Sequence, residues 1–256
     1  MFTLIHKFFA LIILLIAGAI GYVSFISFLF FLYAGSLDWI KLNLSESENL
    51  MLNGVLCLVF FLQHSGMIRR SFRKCLSSFI PSHYQGATYT VASGVILLVF
   101  VTFWQGTDTI LFEADGPFRG IFRVLFFLSI LGMFWGLWAL RSIDMFGLDP
   151  ILKYIRTTPT QEIPFTIRGP YRWVRHPLYL FMIVLFWSCP ILTTDRLLFN
   201  VLWTIWVVVA TVLEERDLTV DFGDAYRDYQ AKVPMLLPRG FRPSYPAGKS
   251  DNAAYP

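Results

Sequence analysis

Six long apolar runs constrain this chain more than any other feature of its sequence. A helix that crosses the hydrocarbon core of a bilayer needs about 20 predominantly apolar residues, and the runs approach or exceed that length. They are Phe8–Ala34, Leu50–Ile68, Thr88–Trp104, Gly120–Leu140, Leu178–Leu192 and Leu197–Leu213. Because 56% of the residues are hydrophobic and only 15% are charged, a soluble fold could not cover its own surface. The sequence therefore predicts an all-α, polytopic membrane protein with about six transmembrane helices.

Lysine and arginine residues are distributed unevenly among the predicted loops. Most of the 21 lie at the N-terminus, after the second run, before the fifth run and in the C-terminal segment. These regions share one side of the membrane, and cytoplasmic loops carry such an excess, so both termini are predicted to be cytoplasmic. Topology alone thus accounts for the net charge of +4. We expect membrane lipids rather than nucleic acid as partners, and the basic cluster 69–74 is a candidate for contact with anionic lipids.

The three cysteines predict neither a metal centre nor a disulfide framework. Cys57 and Cys189 lie within apolar runs, and Cys75 lies in a basic loop. None belongs to a CxxC motif or to a cluster with histidines, which zinc and haem sites require. We therefore expect no metal site and interpret the three thiols as ordinary packing or interfacial residues.

The polar stretches divide the chain into three predicted regions. Residues 1–140 form an N-terminal transmembrane region of four helices, residues 141–240 form a core, and residues 241–256 form a disordered tail. The last two apolar runs are separated only by residues 193–196, which predicts a tight helical hairpin. Pro190 should end or bend the first arm of that hairpin because proline cannot continue the helical hydrogen bonding.

Two polar clusters lie at the cytoplasmic ends of this hairpin. The first ends in Arg175, His176 and Pro177, where proline suits the first turn of the fifth span. The second is the pair Glu214 and Glu215 at the end of the sixth span. Taken separately, the first cluster is typical of interfacial anchors and the second of solvated boundary residues. Taken together, they predict a polar pocket at the membrane boundary, where ionisable groups are functional candidates.

The segment 222–234 is the third part of this predicted pocket. Its spacing of aromatic and charged residues predicts a short amphipathic helix, and Pro234 should stop it. Such a helix could fold back over the pocket as a lid. Composition and residue spacing predict this pocket, but they do not indicate a reaction.

A two-part motif identifies a family that the chain resembles. Gly-Pro-Tyr-x-x-x-Arg-His-Pro-x-Tyr spans 169–179, and Glu-Glu-x-x-Leu-x-x-x-Phe-Gly-x-x-Tyr-x-x-Tyr-x-x-x-Val-Pro spans 214–234. This pattern resembles the isoprenylcysteine carboxyl methyltransferase superfamily. The region 141–240 would then be a methyltransferase core.

A narrower resemblance extends over most of the chain. Gln63-His64-Ser65, Asp144-x-Phe146-Gly147-Leu148 and the stretch 233–238 are similar to those of bacterial methanethiol S-methyltransferases. Two positions depart from the related patterns. Ala210 stands where carboxyl methyltransferases carry an arginine, and residues 84–87 lack the Glu-Arg-Ser expected of the methanethiol enzymes.

The resemblance implies an S-adenosyl-L-methionine site on the cytoplasmic side, around the last hairpin. By position, the residues that line the cofactor would be Tyr171, His176, Pro177, Leu178 and Tyr179. Glu214 would hold it with support from Glu215, and the segment from Ile163 to Thr166 would lie against it. His176, Glu214 and His64 are the candidate catalytic residues, His64 because a thiol acceptor must lose its proton. The acceptor would be a small thiol or a lipophilic molecule, and the location the bacterial inner membrane.

The sequence is also compatible with two other functions. Sterol reductases that use NADPH carry a related Arg-His-Pro motif and a C-terminal Tyr-x-x-Val-Pro, but this chain has Leu178 where they have asparagine. A non-catalytic membrane scaffold or assembly protein is the second alternative. Loss of both His176 and Glu214 would have favoured it, and both residues are present.

Overall fold

The computed structural model describes residues 2–140, 144–158 and 165–245, and these form a mostly helical protein. The elements in chain order are α1 (Phe2–Ala34), α2 (Glu46–Ile68), α3 (Arg70–Leu76), α4 (Ser82–Phe103), β1 (Ile110–Glu113), α5 (Gly116–Ala139), α6 (Asp149–Arg156), a 3₁₀ turn (Gly169–Arg172), α7 (Pro177–Trp187), β2 (Ile191–Thr193) and α8 (Thr194–Lys232). The two short strands pair with each other. The predicted all-α class is confirmed.

Among the described residues, five helices are long and apolar enough to cross a membrane: α1, α2, α4, α5 and α8. Their outward side chains are apolar, as a lipid environment requires; Leu62 and Trp138 are both more than two-thirds exposed. Five of the predicted runs fall within or nearly within these helices. The structural helices begin several residues earlier because their first turns are polar. The integral membrane character of the chain is thus confirmed.

The fifth predicted run, Leu178–Leu192, corresponds to the shorter helix α7 of 11 residues. The helix stops before Pro190 because a residue that precedes proline is disfavoured in the helical conformation. Ser188 closes the last turn, with its hydroxyl donating to Val184 O at 2.5 Å. The chain then pairs as β2 before α8 begins at Thr194. A sixth crossing and a tight hairpin at residues 193–196 therefore stay predictions.

The described residues divide into two compact units. The first contains those within Met1–Ile110, Asp144–Gln161 and Thr193–Phe199, and the second contains those within Leu111–Ile143, Glu162–Leu192 and Asn200–Pro256. The predicted boundaries at 140 and 240 stay predictions.

The first unit is built around an aromatic cluster. Phe31, Phe100, Trp104 and Phe199 are all buried, and the ring of Phe31 lies edge-on to the other three at centroid distances of 5.4–5.7 Å. Edge-to-face pairs of this kind add to the gain from apolar burial. The cluster holds α1, α4 and the beginning of α8 together.

Arg196 caps the end of α1 inside the same cluster. Its guanidinium donates to Phe31 O at 3.2 Å and to Leu32 O, carbonyls in the last turn of α1. The guanidinium carbon also lies 5.4 Å from the ring centroids of both Phe31 and Phe199. A cation at a helix C-terminus is favourable, and these contacts compensate its burial.

In the second unit, α5 and α7 approach closely at two glycines. A Cβ atom placed on Gly132 would lie 2.5 Å from the ring of Phe181, and one placed on Gly136 would lie 2.7 Å from Leu178. Real Cβ atoms essentially never approach so closely, so an alanine at either position would force the facing side chain to move. The two helices therefore have a fixed separation, which also sets the position of Leu178.

Helix α8 is interrupted at one residue. Gly223 has φ 56° and ψ −129°, which lies outside the helical range. A positive φ of this kind favours glycine, which has no Cβ atom. The apolar part of α8 lies before Gly223, and the break falls inside the predicted amphipathic helix 222–234, of which residues 224–232 are helical after the break. We call residues 224–236 the C-terminal segment.

Candidate active site

The second unit contains a cavity of about 410 Å³ with mainly aromatic and apolar walls. Its lining residues are Leu140, Phe165, Thr166, Tyr171, Arg175, His176, Leu178, Tyr179, Glu214, Leu218, Phe222, Tyr226 and Tyr229. Ligand pockets typically have volumes of about 300–1,000 Å³ and combine such walls with a few polar groups. The cavity therefore has the size and character of a small-molecule site.

Most of the residues predicted for the cofactor site meet at this cavity. Those that line it are Thr166, Tyr171, His176, Leu178, Tyr179 and Glu214. Pro177 is buried as the first residue of α7 and shapes the cavity only through its neighbours. Glu215 does not line the cavity and lies behind the residues that do, as described below. Ile163 lies outside the described residues.

His176 and Tyr179 form one side of the cavity at the start of α7. Their rings are nearly parallel, with an interplanar angle of 11° and centroids 5.6 Å apart. The hydroxyl of Tyr179 donates to Glu214 Oε2 at 2.5 Å. In the described part of the chain, Tyr179 is the only hydrogen-bond donor to this carboxylate. Glu214 Oε1 thus keeps its acceptor capacity for a ligand in the cavity.

Glu215 is buried and accepts hydrogen bonds from four side chains. Arg175 donates to both carboxylate oxygens, at 2.7 and 2.9 Å, and His176 Nε2 donates at 2.7 Å. The Tyr226 hydroxyl and Gln230 Nε2 donate at 2.9 and 2.5 Å. A carboxylate with these partners has its acceptor sites filled. Glu215 is therefore part of the protein framework around the cavity and does not line it.

Arg175 joins this carboxylate to the end of the C-terminal segment. Its Nη1 atom donates to Gln230 O at 3.0 Å and also to Val233 O. The backbone amide of Arg175 donates to Pro234 O, and that of His176 donates to Met235 O. These contacts satisfy carbonyl groups that the end of a helix leaves without partners. The Arg-His and Val-Pro parts of the sequence motif thus lie side by side.

Tyr171 lines the cavity from the 3₁₀ turn. Its carbonyl accepts a hydrogen bond from the Tyr229 hydroxyl at 2.6 Å. Burial raises the pKa of the Tyr171 phenol, and the negative charge of Glu214 raises it further. The phenol is therefore neutral at physiological pH and available as a hydrogen-bond donor.

Besides Arg175, five cavity residues were not predicted from the sequence as site residues: Leu140, Leu218, Phe222, Tyr226 and Tyr229. Tyr226 and Tyr229 lie on one face of the helical segment after Gly223, because they are three residues apart. That spacing was the available signal. Arg175 was interpreted as an interfacial anchor, whereas its guanidinium is engaged inside the protein.

The third predicted catalytic residue, His64, belongs to the first unit and does not line the cavity. The Tyr89 hydroxyl lies 2.7 Å from its Nε2 atom, and the imidazole stacks on Phe60 with ring centroids 5.1 Å apart. The adjacent Gln63 donates to Ser93 Oγ at 3.2 Å. These contacts form a polar cluster between α2 and α4.

No metal centre is present in the described part of the chain. There, no three His, Cys, Asp or Glu side chains lie close enough together to hold an ion. Cys57, Cys75 and Cys189 form no disulfide within these residues, and of the three only Cys75 is exposed.

Comparisons with known proteins identify the class to which the chain belongs. The phospholipid methyltransferase family profile matches residues 121–225, which include both His176 and Glu214. Together with the helical membrane fold, this match defines the class of the protein as a membrane methyltransferase. No solved structure matches the chain significantly.

Relatives define the family more narrowly. A methanethiol S-methyltransferase of Mycobacterium tuberculosis is 35% identical over 75% of this chain and 79% of its own length. One of Pseudomonas deceptionensis is 34% identical over 74% of this chain and 72% of its own length. The rat protein nurim is more distant, with 26% identity over 64% of this chain and 65% of its own length. The chain belongs to the family of the methanethiol S-methyltransferases, and the resemblance in its motifs is confirmed.

Proposed function

We propose that the protein transfers the methyl group of S-adenosyl-L-methionine to a small neutral thiol of the methanethiol type. The observation that carries this proposal is that His176 and Glu214, from separate parts of the motif, line one cavity of about 410 Å³. The names of the relatives support a thiol acceptor. A lipophilic acceptor is the second candidate, because the matching family profile is that of phospholipid methyltransferases.

The residues of the cavity fit such a methyl donor. Tyrosine and phenylalanine faces can stack on a purine ring and can attract a sulfonium through the negative face of their π systems. Glu214 accepts only the Tyr179 hydrogen bond within the described residues, so its other oxygen suits a ribose hydroxyl or an ammonium group. We assign Glu214 as the donor-binding carboxylate, with Tyr171, His176, Leu178 and Tyr179 as the surrounding wall.

The bound donor would supply an electrophilic methyl group, and the protein would supply position. In the overall reaction the acceptor sulfur loses a proton and gains the methyl group, and the donor leaves as a neutral thioether. Holding two reactants in the correct geometry can lower the barrier by about 7–11 kcal/mol. The aromatic walls also exclude water, which protects the methyl group from hydrolysis. His64 as the proton acceptor stays a prediction.

The proposed site faces the cytoplasm of a bacterial inner membrane, with both termini on the same side. The basic loops support this orientation. The 11 residues of α7 rise about 16 Å as a helix. Residues 188–193 add on the order of 15–20 Å as extended chain. The combined length of α7 and these residues matches a hydrocarbon core of about 30 Å. Because Cys75 is the exposed cysteine, a membrane-impermeant maleimide should label it only after cells are opened. Labelling in intact spheroplasts would contradict the orientation.

The deciding experiment measures donor binding and methyl transfer with the purified protein in detergent. S-Adenosylhomocysteine should bind and raise the melting temperature, whereas NADPH should do neither. Labelled S-adenosylmethionine should then give a labelled thioether with small thiols, and little product with phosphatidylethanolamine or prenylcysteine. Stabilisation by NADPH alone would favour a reductase. Absence of both binding and product would favour a non-catalytic scaffold.

The variant Glu214→Gln provides the site-specific control. It keeps the size of the side chain and removes the charge, so donor affinity should fall while the melting temperature without ligand changes little. An unchanged affinity would refute the assignment of Glu214.

A further inference from the structure

The C-terminal segment is not held in place by the helix that precedes it. Gly223 interrupts the helical geometry with φ 56°, so the segment does not continue the apolar part of α8 as a regular helix. Its position must come from contacts that residues after the break make. Two of those contacts, from Tyr226 and Gln230, meet at one carboxylate, that of Glu215. Others join the segment to Arg175, His176 and Tyr171.

Glu215 receives hydrogen bonds from both sides of the cavity framework. Tyr226 and Gln230, which belong to the C-terminal segment, donate to its two oxygens. Arg175 and His176, which precede α7, donate to the same two oxygens. The carboxylate therefore fastens the segment to the other wall of the cavity.

The fastened segment contributes two cavity residues. Tyr226 and Tyr229 are 2% and 3% exposed and line the cavity. The Tyr229 hydroxyl also reaches across to the carbonyl of Tyr171, a third lining residue, at 2.6 Å. Displacement of the segment would remove one aromatic wall and open the cavity to solvent.

We propose that Glu215 is a positioning residue that fixes Tyr226 and Tyr229 against the methyl-donor cavity, while Glu214 is the carboxylate of the pair that binds the donor. This inference rests on the proposed function for the identity of the donor. Adjacent residues on an α-helix point about 100° apart, because a turn takes 3.6 residues, so one carboxylate faces the cavity and the other faces the framework. The paired acids of the motif thus have two different tasks.

Gln230 offers the sharpest probe because it touches Glu215 and does not line the cavity. Gln230→Leu removes one donor to a charged acceptor, which should increase opening of the segment on the order of tenfold. Arg227→Gln is the matched control on the exposed side of the same segment, where Arg227 pairs only with Asp224 in the described part of the chain. Glu215→Gln removes the charge that Arg175 needs and should have a larger effect than Gln230→Leu.

The experiment uses the full chain in detergent and measures two quantities for each variant. Amide hydrogen exchange of residues 224–236 reports the opening of the segment, and isothermal titration with S-adenosylhomocysteine reports donor affinity. Gln230→Leu and Glu215→Gln should speed exchange and weaken affinity together. Glu214→Gln should weaken affinity with exchange unchanged, and Arg227→Gln should change neither.

Two results would overturn the proposal. Glu215→Gln could lose affinity with exchange unchanged, which would make Glu215 a direct ligand of the donor. Gln230→Leu could leave exchange at the level of Arg227→Gln, which would show that the carboxylate does not fasten the segment. If the unaltered protein bound no S-adenosylhomocysteine, the proposed function and the donor part of this inference would both fail. The exchange comparison would still decide whether Glu215 holds the segment, even if Glu215→Gln does not fold.

Discussion

The glycines of α5 allow a test of how helix packing controls the cavity. Gly136→Ala places a Cβ atom 2.7 Å from Leu178 Cδ2 and 3.3 Å from its Cγ, so the Leu178 side chain must move. Leu178 lines the cavity, and its displacement should weaken donor binding. Gly132→Ala instead meets three ring atoms of Phe181 at 2.5–2.6 Å. Phe181 is not among the lining residues.

The two substitutions should therefore separate stability from binding. Extra methyl groups in a well-packed interior cost about 1–3 kcal/mol, and a rigid ring has fewer ways to yield than a leucine methyl. We expect Gly132→Ala near the upper end of that range and Gly136→Ala near the lower end. Donor affinity should fall severalfold for Gly136→Ala and stay nearly unchanged in the fraction of Gly132→Ala that remains folded.

Gly120 provides the control within the same helix. A Cβ atom there meets nothing within 4 Å, so Gly120→Ala should gain up to about 1 kcal/mol from helix propensity. Thermal unfolding in detergent and titration with S-adenosylhomocysteine measure the two effects. The reasoning would be wrong if Gly132→Ala were as stable as Gly120→Ala, or if Gly136→Ala bound the donor normally.

Three further substitutions test separate contacts. Tyr179→Phe removes the hydrogen bond that orients Glu214, so the KM for the donor should rise on the order of tenfold with little change in melting temperature; an unchanged KM would contradict this. Arg196→Met leaves carbonyls at the end of α1 without their donor and should cost about 1–3 kcal/mol in unfolding experiments, with donor affinity of the folded protein retained. Ser45→Ala removes the capping box with Glu48 at the start of α2 and should cost about 0.5–2 kcal/mol, whereas Ser47→Ala should cost less.

The apolar runs predicted the long helices well because hydrophobic length alone decides whether a segment can cross a bilayer. The end of α7 was harder to predict. Pro190 indicated a stop, but the sequence did not reveal that residues 191–193 form a strand that pairs with β1. Strand pairing joins segments that are distant in sequence, and a short apolar strand has no periodicity that distinguishes it from the end of a helix.

Most of the predicted site residues line one cavity, but the sequence did not show that Glu214 and Glu215 face different sides. The motif indicated that both Glu214 and Glu215 serve the cofactor, and sequence alone does not show which face of α8 meets the cavity. That orientation depends on where Arg175 lies, and the guanidinium was interpreted as an anchor at the membrane surface. The sequence likewise showed Tyr226 and Tyr229 only as one face of an amphipathic helix. It did not show where that face points, because the break at Gly223 sets the direction of the segment.

The fork of hydrogen bonds made by Arg175 has a consequence for substitution at this position. One planar group donates to both oxygens of Glu215 and to the carbonyls of Gln230 and Val233. Lysine would preserve the positive charge, but a single ammonium carries three hydrogens on one nitrogen and cannot span acceptors that lie on two sides. Geometry therefore makes arginine and lysine chemically unequal here, in a place where a count of charges would treat them as the same.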